Sequence, residues 1–521
     1  MAKSKAAAFA QLLKEAASAQ RGGRLLQAEL LLTQILEDSP GHAAALNHLG
    51  ALRCRQGDLE GGLALLDQAL QSKPGYVDAL NSRGNALRDL RRPEEALASY
   101  ERALAIEPAN GDALYNCGAA LQELGRHAEA VERLQRAHAL APRDAETLND
   151  LGVSLRALGR EEDALKRFRQ ALRLRPEFGD ALSNSGNALK ATGRIREAIA
   201  AYRGALALAP DNPEIHFNLA LALLAVGEWP EGWREYEWRH GTRQFAGTAR
   251  DFGRPPWRGD AELEGRTILL HAEQGLGDTL MFARYLPLVA QRGARVVLEV
   301  PKRVAPLFEG MEGIAQLAIA GEPLPVFDLH CPLPGLPLAF GTTPGSVPPP
   351  LAYRAPSGAA AGGPQGPAPR VGIVWSGNPD YARDRVRSVD LALLEPALAA
   401  GGAAIISLQK EVSARDVELL ARRGIAHTGP GQRDFADAAA LISGLDLVLT
   451  VDTSVAHLAG SMGKPLWMML SYAPDWRWGV EGEGSPWYRQ ARLFRQERRD
   501  DWSAPLARIA EALRAWPARP A

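Results

Sequence analysis

Proline recurs at Pro40, Pro74, Pro108, Pro142, Pro176 and Pro210, each 34 residues after the last. A fixed period of this length restricts the first half of the chain to an array of stacked supersecondary units. Other residues keep the same phase. Gly50, Gly84, Gly118, Gly152 and Gly186 form one series, with Ala220 in the next slot. Gly57, Gly125, Gly159, Gly193 and Gly227 form a second, in which Arg91 fills the missing place. Ala69, Ala103, Ala137, Ala171 and Ala205 form a third.

Each series has a mechanical reading. The first small residue lets one helix of a pair approach its partner closely. The second glycine ends that helix and supplies the turn. The alanine sits where the second helix crosses, and the proline stops it. A pair cannot bury its apolar face alone, so stacked neighbours make the core. With these markers the stretch resembles the tetratricopeptide repeat (TPR) family, and residues 7–240 are expected to form an α-solenoid. A first, degenerate repeat is expected from Ala7 to Pro40. The last unit carries Trp229, Trp233, Tyr236 and Trp238, read as a seal against the next domain. The resemblance implies a groove for a peptide or protein partner. Asn47, Asn81, Asn116, Asn149 and Asn184 are polar candidates there, but they do not share one phase.

The period stops after Gln244. Residues 241–265 read as a connector. Strand-like runs then alternate with helical ones: Thr267–His271, Ala294–Val300, Gln316–Ile319 and Val326–Leu329 as strands, Thr279–Gln291 and Val304–Glu309 as helices. A Pro/Gly/Ala-rich linker over 351–369 separates this region from a second alternation over 370–515. There Arg370–Trp375, Ala404–Leu408, Leu445–Val451 and Leu466–Leu470 read as strands. Val412–Arg423, Phe435–Ser443 and Ser454–Met462 read as helices. Strands separated by helices predict parallel sheets of βαβ units. The expectation is two Rossmann-like halves, 266–350 and 370–515, facing across a cleft: a GT-B-type α/β domain.

Two motifs fall at strand ends, where open α/β sheets bind ligands. Glu273-Gln274-Gly275-Leu276-Gly277-Asp278 is a glycine-rich loop entering a helix. Asp452-Thr453-Ser454-Val455-Ala456-His457-Leu458-Ala459 opens a helix whose N–H groups suit a diphosphate. Read locally, Asp278 is also a good N-cap. Together the motifs resemble the heptosyltransferase-like family of glycosyltransferases (glycosyltransferase family 9). That resemblance implies Asp278 as catalytic base and Asp452, Thr453, Ser454 and His457 as the donor's diphosphate element. It implies donor contacts from Arg387, Lys410 and Glu411. His271, Glu273, Gln274, Gly275 and Gly277 are acceptor-side candidates. Ser454 and Ala456 replace the family's usual Gly and Met, so donor and acceptor are open. The arrangement also resembles the protein O-GlcNAc transferases, in architecture alone.

The expected function is inverting, metal-independent transfer of a sugar from a nucleotide-diphosphate sugar to a protein or glycan recruited in part by the repeats. The alternatives are a non-catalytic assembly scaffold with a degenerate domain, and a GT-B-like epimerase. No cofactor beyond the donor and no metal triplet is expected. The 60 Lys+Arg against 61 Asp+Glu, net charge -1, argue against nucleic acid. Cys54, Cys117 and Cys331 form no CxxC pair, which fits a reducing compartment. With no leader-like start and no run long enough to span a bilayer, the expected location is cytoplasmic.

Overall fold

The computed structural model describes residues 2–247, 250–354, 369–379 and 384–516. It divides into two compact units, Met1–Leu189 and Lys190–Ala521. The first is an α-solenoid. Its helix pairs are Ala2–Arg21 with Leu25–Asp38, Ala43–Arg55 with Leu59–Ser72, Val77–Asp89 with Pro93–Ile106, Gly111–Glu123 with His127–Leu140, and Ala145–Ala157 with Glu161–Leu174. Asn110 and Asp144, two residues after their prolines, accept hydrogen bonds from the first-turn N–H groups of the following helices. That satisfies donors the helix cannot bond itself.

The glycine series have the roles their spacing predicts. A Cβ added at Gly84 would meet the Tyr100 ring at 2.3 Å, one at Gly118 the Leu134 side chain at 2.6 Å, and one at Gly152 the Phe168 ring at 2.4 Å. A large residue 16 positions on therefore packs directly against each glycine. Gly57, Gly125 and Gly159 turn with φ of 93°, 71° and 74°. Gly23, at 74°, extends this series into the degenerate first repeat. Arg91 takes the same left-handed turn at φ 60° without being glycine. The asparagines pair only locally: Asn184 donates to Asn149 at 3.0 Å, and Asn81 to Asn110 at 3.3 Å.

The second unit begins with the last repeat helices, including Pro213–Ala225 and Trp229–Tyr236. Two all-parallel sheets follow. The first has the order β3-β2-β1-β4, from β1 (Thr267–His271), β2 (Arg295–Val300), β3 (Gln316–Ile319) and β4 (Leu329–Pro332). The second has the order β10-β9-β8-β5-β6-β7. Its strands are β5 (Arg370–Val374), β6 (Ala404–Ser407), β7 (Ala426–His427), β8 (Leu447–Val451), β9 (Leu466–Leu470) and β10 (Ala491–Arg495). In both sheets the chain reverses strand order at a central strand, the switch-point geometry of doubly wound folds. This is the expected GT-B-like pair of Rossmann-type halves.

Some expected elements move, for local reasons. The helix expected over Thr279–Gln291 is broken into Leu276–Phe282, a 3-10 turn at Ala283–Tyr285 and Leu286–Ala290. Pro287 lacks the N–H that would bond Ala283, so the α-ladder fails there. The expected Val304–Glu309 helix is only a 3-10 turn, Ala305–Leu307, with Pro306 in its first turn. The strand expected at Val326–Leu329 lies at Leu329–Pro332, because Leu329 and Cys331 are the buried positions and Val326 is exposed. Most of the 351–369 linker, residues 355–368, lies outside the described residues.

One apolar core runs through the second unit, from Phe217, Trp229 and Trp233 through Phe282 to Trp476 and Trp487. Trp233 meets the Phe282 ring edge-on at 6.4 Å and the Trp476 ring at 5.4 Å. Trp229 stacks on Trp487 at 5.0 Å. Aromatic pairs in such arrangements contribute about 0.5–1.5 kcal/mol each beyond area burial. Trp229, Trp233 and Tyr236 thus form the expected seal, touching both halves. Trp238 instead stacks on His216 and stays partly exposed. Arg284 adds a buried polar tie between the halves, donating to the Trp487 carbonyl at 3.0 Å.

Candidate functional site

The loops that leave β1, β5, β6, β8 and β9 at their carboxyl ends line one cavity of about 770 Å³ between the two halves. From the first half come Gln274, Gly275, Gly277 and Asp278; from the second come Arg387, Lys410, Glu411, Asp452, Thr453, Ser454 and His457. The structure therefore brings two motifs about 180 residues apart in sequence to one cleft, as parallel βαβ topology requires.

Asp278 sits in the first turn of Leu276–Phe282. Its carboxylate is not an N-cap; it pairs with Nη2 of Arg477, across the cleft. Arg477 also holds Asp475 at 2.8 Å. Burial raises the Asp278 carboxyl above the ordinary carboxylate range, and Arg477 pulls against that rise. Asp475 and Arg477 gave no motif signal in the sequence. They follow β9, however, and a loop beyond that strand has to face the cleft. Asp475 also accepts the backbone N–H of Arg477, which starts the turn.

At the end of β8, Asp452 offers its carbonyl to Nη1 of Arg387 at 2.7 Å. Arg387 is itself oriented by Asp384 at 2.9 Å. A Cβ at Gly377 would come within 2.0 Å of the Arg387 guanidinium, so a larger residue there would displace that side chain. Burial, with Asp475 as the next cause, raises the Asp452 carboxyl to about 6. Thr453 does not cap the helix Ser454–Ser461; its hydroxyl faces Thr450 at 3.2 Å. The Ala456 N–H bonds back to the Thr453 carbonyl at 3.0 Å, and the helix start at Thr453, Ser454 and Val455 lines the cavity, where an anion is favoured.

His457 is buried. Its Nδ1 meets the Tyr488 hydroxyl at 2.9 Å, and its ring stacks on Trp478 at 5.5 Å. Burial lowers its pKa to about 3, so the imidazole is neutral. The opposite edge faces Gly277, where a Cβ would come within 2.8 Å of the ring. Gly277 is therefore demanded by the approach of the two halves. Trp476, Trp478, Trp487 and Tyr488 are buried packing residues. Lys410 and Glu411 line the cavity beyond β6, whose exit is held by Gln409; its carboxamide accepts from the Trp375 and Ser376 N–H groups at 3.3 Å.

His271 and Glu273 lie elsewhere. They line a second cavity of about 320 Å³ with Glu237, His240, Arg250 and His330. His271 approaches His330 at 3.4 Å, and burial lowers its pKa to about 3. Glu273 is taken up by Arg239 in two bonds of 2.8 and 2.9 Å. Only Gln274, Gly275 and Gly277 of the acceptor-side candidates line the cleft itself. The split follows the chain: His271, Ala272 and Glu273, at and just past the strand end, line the second cavity, and the loop from Gln274 onward lines the cleft.

The chain combines an array of TPR-type helix pairs with a C-terminal GT-B-like α/β part. Residues 13–77, 84–125, 110–177 and 186–227 match tetratricopeptide repeat families. Residues 423–501 match glycosyltransferase family 9 (heptosyltransferase). Protein FlbA of Caulobacter vibrioides (strain ATCC 19089 / CIP 103742 / CB 15) is 28% identical over 322 residues, 56% of this chain and 53% of FlbA. The chain thus spans about half the length of that relative. Among solved structures, YrrB, "a TPR protein with an unusual peptide-binding site", is 27% identical and covers 35% of this chain and 95% of its own, with a TM-score of 0.32. MamA is 24% identical and covers 31% of this chain and 95% of its own, with a TM-score of 0.30. Among the described residues, no helix is long and apolar enough to cross a membrane.

Proposed function

We propose that this protein is an inverting glycosyltransferase that uses a nucleotide-diphosphate sugar and a protein or glycan acceptor recruited in part by its repeats. The observation that carries the reading is the convergence of Asp278, Arg477 and the Asp452–His457 element on one cleft between two Rossmann-type halves.

The donor's diphosphate would lie against the uncapped start of Ser454–Ser461, with Arg387 and Lys410 supplying positive charge. These cations would do the work of a metal ion, and the reaction needs no cofactor besides the donor. Arg477 adds a role the sequence reading lacks. It neutralises Asp278 before substrate arrives, and an incoming diphosphate competes for it. Asp278 is then free to take the acceptor hydroxyl's proton as that oxygen bonds to the anomeric carbon. The bond from that carbon to the diphosphate oxygen breaks on the opposite face, and the leaving group carries the electron pair away. Preorganised cations stabilise charge where it develops, the largest source of rate in many such sites. A repeat array tied to the same chain raises the local concentration of a bound acceptor.

The test is a thermal-shift panel of ADP-, UDP-, GDP-, CMP- and dTDP-sugars, followed by transfer of the labelled sugar to acceptors in a lysate. A ligand that binds the native state raises its apparent stability. One nucleotide should shift wild type and, at least as strongly, Asp278→Asn, in which Arg477 is released to the diphosphate, while the variant loses transfer. Absence of any shift at millimolar nucleotide removes the donor site and leaves the scaffold reading. Full turnover by Asp278→Asn removes the base assignment.

A further inference from the structure

The loop that carries the catalytic candidate is held from outside the Rossmann halves. Past Ala272, whose N–H still donates to Glu299 at 2.9 Å, the chain leaves the sheet. The next two side chains are gripped by the final segment of the repeat array. Glu273 receives a two-pronged bond from Arg239, which is fully buried. Gln274 donates to the Tyr236 hydroxyl at 2.7 Å. Arg239 is itself fixed: its remaining nitrogen donates to the Tyr236 carbonyl at 3.1 Å and to Glu237 at 2.8 Å. Its guanidinium lies 4.9 Å from the Tyr236 ring. That ring also packs on Trp476, the neighbour of Arg477, at 6.2 Å. One short segment therefore touches both sides of the Asp278–Arg477 pair.

A buried Arg–Glu pair is a poor way to gain stability, since desolvation consumes most of the attraction. It is a good way to set a geometry, because the planar fork accepts a carboxylate in one orientation. We infer that Tyr236 and Arg239 are positioning residues for the Glu273–Asp278 loop, so that the end of the repeat array completes the transfer site. The catalytic consequence rests on the glycosyl-transfer reading; the positioning itself does not.

The experiment compares the full-length chain with Tyr236→Phe, Arg239→Lys and, as a control in the same segment, Trp238→Phe. Tyr236→Phe removes one oxygen and leaves the ring packing. Arg239→Lys keeps the charge and loses the fork. Hydrogen–deuterium exchange of a peptide covering 272–280 should quicken about tenfold in the first two, the scale of one lost hydrogen bond. Strand β1 should exchange as in wild type in Tyr236→Phe, any fall in apparent Tm should stay within the few degrees that a lost hydrogen bond accounts for, and Trp238→Phe should behave as wild type. Turnover should fall in the same two variants with donor KM unaltered. Unchanged loop exchange in Tyr236→Phe and Arg239→Lys overturns the inference. So does quickening that spreads over the second unit or appears equally in Trp238→Phe, because the role is then structural. If wild type transfers no sugar, the glycosyl-transfer reading falls, and loop exchange alone still decides the positioning.

Discussion

His457 illustrates how burial changes what a motif residue can do. In the sequence it stands one turn after Thr453 and reads as a possible diphosphate contact. In the fold it is a neutral ring wedged between Tyr488, Trp478 and Gly277. Its ordinary pKa of 6.5 falls to about 3, so the native state resists taking up a proton that the unfolded chain accepts. The stabilisation from this group is full above pH 6.5 and is lost as pH falls toward 3. For one such histidine the loss reaches about 2 kcal/mol by pH 5. Urea denaturation of wild type and His457→Gln at pH 8 and pH 5 should show that difference shrinking in the variant. An equal acid-side loss in both would place the imidazole outside the buried cleft wall.

At the scale of the element, the repeat period marks positions where substitutions have opposite signs. Gly118 abuts Leu134, so Gly118→Ala forces a methyl into a filled space and should destabilise by about 1–3 kcal/mol. Arg91 occupies the turn slot that glycine fills elsewhere, at φ 60°. A left-handed non-glycine residue costs roughly 1–2 kcal/mol, part of which glycine gives back through its freer unfolded state. Arg91→Gly should therefore stabilise by about 0.5–1 kcal/mol. Paired chemical denaturation curves check both signs. A destabilised Arg91→Gly would mean the arginine side chain contributes more than its backbone costs.

At the scale of the whole molecule, the compact units do not divide where the repeat pattern ends. The last repeat helices belong to the unit that holds both sheets. Trp229, Trp233 and Tyr236 fill the core that also contains Phe282, Trp476 and Trp487. A fragment starting at Arg266 would expose this aromatic surface and should aggregate. A fragment spanning 190–521 should stay folded and monodisperse. Gel filtration and near-UV circular dichroism of the two fragments test this. A well-folded 266–521 fragment would show that the repeat helices only lean on a core complete without them.

The division between what was legible and what was not follows the range of the interactions. The solenoid was legible because its determinants are local and repeated: glycine turns at Gly57 and Gly125, and close packing at Gly84 and Gly118. The strands β5, β8 and β9 were legible as apolar runs, and the loops at Asp278 and Asp452 as strand exits. β7 and β10 were not anticipated. They are edge strands; β7 has only two residues, and β10 is a five-residue run interrupted by Arg492 and ended by Arg495, so the pattern is weak. The partner of Asp278 was also out of reach, because Arg477 lies 199 residues away and no local pattern marks it. The same holds for Arg239 with Glu273 and for the split that sends His271 to a separate cavity. Sequence by itself determined the repeat units and most of the strands and helices around the cleft, since turns and periodicity act over a few residues. Only the tertiary structure decided which charges meet, because burial of an ion pair depends on what other segments bring to cover it.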